Sequence, residues 1–474
     1  MRRRTIIQTV LCTTIAGCAS HPFEVLAQDL ADLPDEQADI VVIGGGAAGL
    51  SAAVSAAQAA NDRQRSLRIV LLEKNSSLGG DTSISGGYFN AVDPKRQMHY
   101  QIEDSVDLFK EQILEAAGPH CDPALVERLA TEATDALEWL ESLGMRFLPQ
   151  IDEIFGSPYP RAHKPVLARG TGYIRALTQA AMRADIDIKC SAQALSLLTE
   201  SGVIRGVAYK TNQGKRFCAT SCVILASGGY GANRTLIKKF APNLAELPVD
   251  TQPGSTGDML IAAQKIGADL VNLSFIECTP GAGSEVPYPL RLDFIPARMI
   301  FVGDDGLRFV DETSSRADIA TAIAAQQSHS VWAVADQGLV SDLDVSFQKN
   351  LYRGLYAGIA LRANTTQDLA QQMGVPVQAF STTLASNPAK QRIHQPPFWA
   401  VPVHLRIHST LGGIRINDKA EVLNVRGSPF PYLWAAGAVT GGIHGRNRIG
   451  GNGINTAVVF GRIAGKQAAN VALT

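Results

Sequence analysis

The sequence predicts an α/β protein built around a Rossmann-like, dinucleotide-binding strand–helix–strand unit. Three observations carry that expectation. The apolar run Asp39-Ile40-Val41-Val42-Ile43 leads at once into Gly44-Gly45-Gly46-Ala47-Ala48-Gly49, which contains G-x-G-x-x-G. A small-residue helix from Leu50 to Ala60, free of Pro and internal Gly, is followed by a strand from Leu67 to Leu72 that ends in Glu73. The 474 residues are 46% hydrophobic and 18% charged, with 43 Gly. Such a chain buries a large core without disulfide staples and is not disordered.

Each part of the unit has a physical reason. Gly44 permits the tight turn, Gly46 lets a pyrophosphate approach the backbone, and Gly49 lets the helix pack closely on the strand. The helix N-terminus then faces the phosphates. Glu73, at the end of the second strand, is placed to accept from ribose hydroxyls. With both strands, the helix and the acid present, the glycine pattern is a strong signal rather than a chance turn.

Charge and cysteine usage narrow the function further. The formal net charge is −1, without the basic excess that nucleic-acid binding uses. The seven cysteines include Cys12 and Cys18 near the start; the other five, Cys121, Cys190, Cys218, Cys222 and Cys278, are odd in number and irregular in spacing. That is neither a disulfide framework nor a metal-ligand set, and no metal is expected. The absence of C-x-x-C-H excludes a c-type haem held by this sequence.

The first 27 residues read as an export signal. Met1-Arg2-Arg3-Arg4 forms a basic start, and the apolar stretch from Ile6 to Gly17 is too short to span a bilayer. Val25-Leu26-Ala27 resembles a cleavage site, and removal of residues 1–27 leaves a net charge of −3. Two alternatives stay open. Ile15-Ala16-Gly17-Cys18 resembles a lipobox with Cys18 acylated, and Arg3-Arg4-Thr5-Ile6-Ile7 resembles a twin-arginine signal, a route for proteins that load a cofactor before export. No later segment is apolar and long enough to be a transmembrane span, and the expected location is the periplasm.

Five further motifs specify the dinucleotide. Glu73-Lys74 runs on to Gly79-Gly80-Asp81-Thr82-Ser83-Ile84-Ser85-Gly86-Gly87; Cys222-Val223-Ile224-Leu225-Ala226-Ser227-Gly228-Gly229 is a strand and turn; Thr256-Gly257-Asp258 and Leu433-Trp434-Ala435-Ala436-Gly437 follow; and Gly441-Gly442-Ile443-His444-Gly445-Arg446-Asn447-Arg448-Ile449-Gly450-Gly451-Asn452 precedes a last helix from Gly453 to Ala469. Together these resemble the FAD-dependent fumarate reductase and succinate dehydrogenase flavoprotein superfamily, and most of all its soluble flavocytochrome c branch. The resemblance implies a Rossmann-like FAD-binding domain of the GR2 type, with an inserted α+β capping domain. The expected division is residues 36–279 and 405–474 for the FAD domain and 280–404 for the cap. It also implies that FAD contacts Gly44, Gly46, Ala48, Gly49, Glu73, Asp81, Thr82, Gly86, Gly87, Ala194, Asp258, Ser409, Ala438, Gly453 and Ile454. Asp81 stands where members with covalent flavin carry His, so the FAD is expected to be noncovalent. Ala438 stands where the family commonly has Glu.

The resemblance assigns chemistry as well. Family members pass hydride from flavin N5 to an activated alkene and protonate the other carbon. Arg448 matches the arginine that binds the substrate carboxylate, and its planar fork suits bidentate binding. His408, in His408-Ser409-Thr410-Leu411-Gly412-Gly413, matches the histidine that donates beside it. Arg316, in Arg308-Phe309-Val310-Asp311-Glu312-Thr313-Ser314-Ser315-Arg316, matches the proton donor. Gly451 and Thr279 complete the expected substrate contacts, Thr279 falling where the family has a second-carboxylate histidine. Counted without gaps, the family's Thr-Glu pair falls on Arg291-Leu292 and its relay arginine on Ile295. Glu277, Asp293 and Glu312 are the acids that could take the relay's place. Half of a fumarate pocket is therefore unmatched, and the expected substrate is an α,β-unsaturated acid with one carboxylate.

The sequence thus predicts an oxidoreductase that reduces such an acid. A separate electron donor, a cytochrome or a quinol-linked membrane protein, is implied. Two other readings remain: a dehydrogenase of the ketosteroid Δ1 type, and a flavin-binding protein without catalysis of its own.

Overall fold

A computed structural model describes residues 35–283, 286–326 and 330–474. The expected export segment, with Cys12 and Cys18, lies outside the described residues. Along the chain, β1 (Ile40–Ile43), α1 (Ala47–Asn61), β2 (Ile69–Leu72), β3 (Asp187–Lys189) and β4 (Cys222–Leu225) come first. Then follow β5 (Ile276–Gly281), β6 (Met299–Val302), α2 (Arg316–Ala324), β7 (Val331–Asp336), β8 (Leu361–Ala363) and β9 (Phe398–Thr410). The chain closes with β10 (Glu421–Leu423), β11 (Pro429–Ala435) and α3 (Asn452–Ala472).

The central sheet has six strands in the order β10-β11-β4-β1-β2-β3. All neighbours are parallel except β10, which runs antiparallel on the edge. Its middle strands β1, β2 and β4 are buried at every position, as expected of parallel strands covered on both faces. α1 and α3 pack against each other. The crossing is close because Gly461 and Gly465 face the Ala48 and Ala52 carbonyls, where any side chain would collide. The predicted helices and strands appear with ends shifted by a few residues: α1 begins at Ala47 rather than Leu50, and α3 runs from Asn452 to Ala472.

A second sheet, β5-β9-β7-β6 with β8 alongside β9, has different surroundings. Its residues alternate between two apolar clusters. Met299, Phe301, Ala333, Ala335, Trp399 and Val401 enter one cluster; Ile300, Val302, Val334, Phe398 and Ala400 enter the other. This is the period of two expected of a sheet buried on both faces. The 13-residue β9 joins the two regions. Residues 398–403 pair with β7 and residues 404–410 with β5, and Ile407 lies in the main core that holds the central sheet. Within the region expected to be the cap, Thr366–Met373 and Val377–Ala385 are helices around a left-handed Gly374. No helix among the described residues is long and apolar enough to cross a membrane.

Candidate active site

A large cleft opens at the C-terminal ends of β4, β1 and β2. Loops from four neighbouring parallel strands line it: Gly44–Gly46 after β1, Glu73–Asn75 after β2, Ala226–Gly228 after β4 and Gly437–Ala438 after β11. This is where open parallel sheets bind their ligands. The atom-free space in it, part of it open to solvent, is about 1570 Å³.

The chain's local chemistry fits an FAD here. α1 starts after Gly46, which offers no side-chain cap, and has no acid in its first turn; Ala47 N donates to Thr82 Oγ1, and the other first-turn N–H groups and the positive end suit a pyrophosphate. The turn before it leaves no space for side chains: a methyl on Gly49 would collide with the Gly44 carbonyl. Gly44 has a φ of 112°, which favours glycine. Glu73 is buried, its two oxygens accepting from Gly45 N and Asn75 N, each at 2.8 Å. Each carboxylate oxygen keeps further lone-pair capacity for ribose hydroxyls. Asp81 accepts from Gln252 N (2.5 Å) and Ser255 Oγ (2.6 Å); burial pushes its carboxyl up, and these two bonds oppose the shift. Asp258 is held by Lys74 Nζ at 2.9 Å. α3 also begins uncapped at the cleft, with Gly451, Gly453 and Ile454 on its wall.

Every residue expected to contact FAD lines the cleft except Gly49, which lies behind it in the packing position. Lys74, Asn75, Tyr88, Gln252 and Ser255 line it too, and no motif had singled them out for that role.

Arg316, His408 and Arg448 line the same cleft and converge on one buried carboxylate, Glu277. Arg316 opens α2, where Ser315 caps the helix by accepting from Asp318 N. Its guanidinium donates to the Phe155 carbonyl from Nε (3.1 Å) and Nη2 (2.8 Å) and to Glu277 Oε1 from Nη1 at 3.3 Å. It also stacks 5.3 Å above the Phe155 ring. Arg448 Nη2 donates to Glu277 Oε2, and His408 Nε2 lies 4.0 Å from that same oxygen. Burial by itself would raise the Glu277 carboxyl, but Arg448, Arg316 and His408 outweigh it and hold the group at about 2. His408 is pushed down to about 4, by burial first and by the two arginines, against the opposing pull of Glu277. Arg316 is lowered as well, chiefly by burial and then by Arg448 and Arg291, although Glu277 opposes the shift.

Of the three acids proposed for the relay, only Glu277 touches Arg316. Asp293 is closed onto Arg291 by two bonds of 2.8 and 2.5 Å. Glu312 is taken by Arg308, Arg392 and Phe301 N. Thr279 is buried in β5 and does not line the cleft. The pairing of β5 with β9 shifts register between Glu277 and Cys278; such a bulge breaks strand alternation and re-aims side chains. Among the described residues, Arg448 Nε, His408 Nδ1 and Thr279 Oγ1 have no hydrogen-bond partner. No cluster of metal-ligating side chains occurs among them either.

Comparison with known proteins accords with this geometry. A family described as FAD binding domain matches residues 39–454. The probable fumarate reductase Ifc3 of Shewanella frigidimarina is 31% identical over 93% of this chain and 76% of its own length. The urocanate reductase of Eggerthella lenta is 30% identical over 92% of this chain and 75% of its own. A solved structure of a flavocytochrome c3 fumarate reductase in its open conformation superposes with a TM-score of 0.78 at 29% identity, covering 98% of this chain and 83% of that one.

Proposed function

The chain belongs to the FAD binding domain family, and from that premise we propose an exported, periplasmic FAD-dependent reductase of an α,β-unsaturated carboxylic acid other than fumarate. The family and the relatives make it an FAD-dependent oxidoreductase acting on CH–CH groups. The single observation that carries the finer reading is the convergence of Arg316, His408 and Arg448 in the cleft that the two uncapped helix N-termini face.

FAD, held noncovalently by the loops after β1, β2, β4 and β11, would supply the hydride chemistry when bound and reduced. The remaining work falls to this chain. Arg448 and His408 hold the substrate carboxylate, and their donors stabilise the negative charge that develops on it as the alkene is reduced. Arg316 gives a proton to the carbon that hydride does not reach. Burial pushes its pKa down, which suits a donor, since an arginine in water almost never releases its proton. Glu277 is the carboxylate in contact with the donor; after Arg316 gives up its proton, Glu277 would take one from solvent and pass it on to the guanidine. Electrons come from a separate donor, a cytochrome or a quinol-linked membrane protein.

A steroid ketone offers no anion to the arginine–histidine cluster, which favours the enoate reading over a ketosteroid dehydrogenase. The test is reoxidation of reduced methyl viologen by the FAD-loaded protein with fumarate, urocanate, cinnamate, methacrylate and crotonate. Turnover fastest on a non-fumarate acid supports the proposal. Fumarate as the best substrate removes its substrate clause, and a yellow protein inert toward all five removes the reaction.

A further inference from the structure

A carboxylate-binding site is expected to present unpaired cations, yet the two arginines of this one share an internal counter-ion. Glu277 is only 3% exposed, and Arg448 and Arg316 bond to its two different oxygens. It does not line the cleft but stands directly behind three residues that do. β5 holds it there, with Glu277 paired to Ser409 of β9. The other charges nearby are already closed into pairs: Arg291 with Asp293, and Arg406 with Asp250. His408, pushed down by burial to about 4, is neutral at ordinary pH. Two guanidinium charges and one carboxylate therefore leave one net positive charge to meet a substrate.

We propose that Glu277 is a specificity-determining residue, a buried counter-charge that makes the site complementary to monoanionic unsaturated acids and disfavours dianionic ones. This rests on the reading of the cleft as an enoate site. One substrate carboxylate brings the group to neutrality. A second would set three carboxylates against two guanidiniums in a desolvated space, where an uncompensated charge is costly. Glu277 is almost wholly buried, so solvent screens the excess little. The selection acts through electrostatics from behind the wall and needs no steric contact with the far end of the substrate.

Binding is the readout, because Glu277 also faces the proton donor and its removal would disturb turnover. Butyrate and succinate, the saturated counterparts of crotonate and fumarate, are titrated calorimetrically into the FAD-loaded wild type, Glu277→Gln and Glu277→Asp. The wild type and E277D should bind butyrate more tightly than succinate. E277Q should tighten succinate at least about tenfold more than butyrate, a factor corresponding to roughly 1.4 kcal/mol. Tighter succinate binding by the wild type overturns the proposal, and so does an unchanged ratio in E277Q with FAD still bound. Enoate turnover with an unchanged ratio sinks the role of Glu277 alone. The expected ratios without turnover sink the reductase reading alone. A wild type that binds neither acid sinks both.

Discussion

Arg316, the proposed proton donor, is held by contacts that would fit it for a task an arginine performs poorly in water. The Phe155 carbonyl takes two of its donors, and Glu277 takes a third. Gly156 and Gly450 leave the channel through which it passes, since a methyl on either would press on the guanidinium or its stem. Arg316→Ala should therefore lower kcat by about 10²–10⁴-fold, the range for loss of a general acid, while the bound-flavin spectrum stays as in the wild type. Steady-state rates and absorbance on one preparation check this. Acid stability follows from the same cluster and from His444, which burial first, and then Arg448, push down to about 3. The sign is set by proton counting. Between pH 6.5 and about 4 the unfolded chain protonates both histidines while the folded chain does not, so it binds more protons and stability falls as pH falls. Below about 4.5 the Glu277 carboxyl adds to the loss in the same direction, down to its folded value of about 2. Thermal melts from pH 7 to pH 4 should show Tm decreasing steadily, with a shallower slope in His444→Asn. Removing Glu277 altogether, as Glu277→Ala, should cost about 3–5 kcal/mol because it strands two buried guanidiniums; denaturant unfolding reads that loss.

At the scale of elements, the two helices that aim at the cleft are held by each other. Gly461 and Gly465 on α3 bring its backbone against α1, and both N-termini take their positions from that crossing. Gly465→Ala places a methyl against the Ala52 carbonyl, so it should destabilise by about 1–3 kcal/mol, the usual cost of overpacking. It should also weaken FAD retention, because both ends of the cofactor cradle shift together; gel filtration with the flavin-to-protein ratio measured afterwards tests it. These elements were the most legible in the sequence. The glycine pattern, the apolar run before it and Glu73 are local signals, and local geometry turned them into the expected strand, turn and helix. The sequence was less informative where contacts are distant. Counting without gaps set the family's Thr-Glu pair on Arg291-Leu292, but the chain closes Arg291 onto Asp293 instead. Glu277 and Thr279 sit two apart on one strand and read as equivalent in a period of two. The register shift after Glu277 separates them, and strand pairing of that kind leaves no local mark in the sequence.

At the scale of the whole molecule, one long strand links the two sheets and their three apolar clusters. β9 runs from the two apolar clusters of the second sheet into the core of the central sheet, and His408 stands near its end. Arg316 comes from the α2 side, which packs on β5, and Arg448 comes from the loop before α3. The cluster proposed to bind substrate is therefore assembled from three distant parts of the sequence, and it needs both sheets in place. A ligand of the folded state stabilises by mass action, so added FAD should raise the Tm of flavin-depleted protein, by an amount equivalent to about 2.7 kcal/mol at one hundred times its Kd. Whether this cleft passes reducing equivalents to an enoate with its own residues is read by a single turnover without oxygen. The FAD-loaded protein is reduced stoichiometrically, the excess reductant is removed, and it is mixed rapidly with crotonate, methacrylate, cinnamate or urocanate. The account predicts that oxidised-flavin absorbance returns in one phase with at least one acid, with one equivalent of saturated product, and that the phase slows by about 10²–10⁴-fold in Arg316→Ala. Reduced flavin that persists with every acid, or is reoxidised equally fast without Arg316, would contradict it.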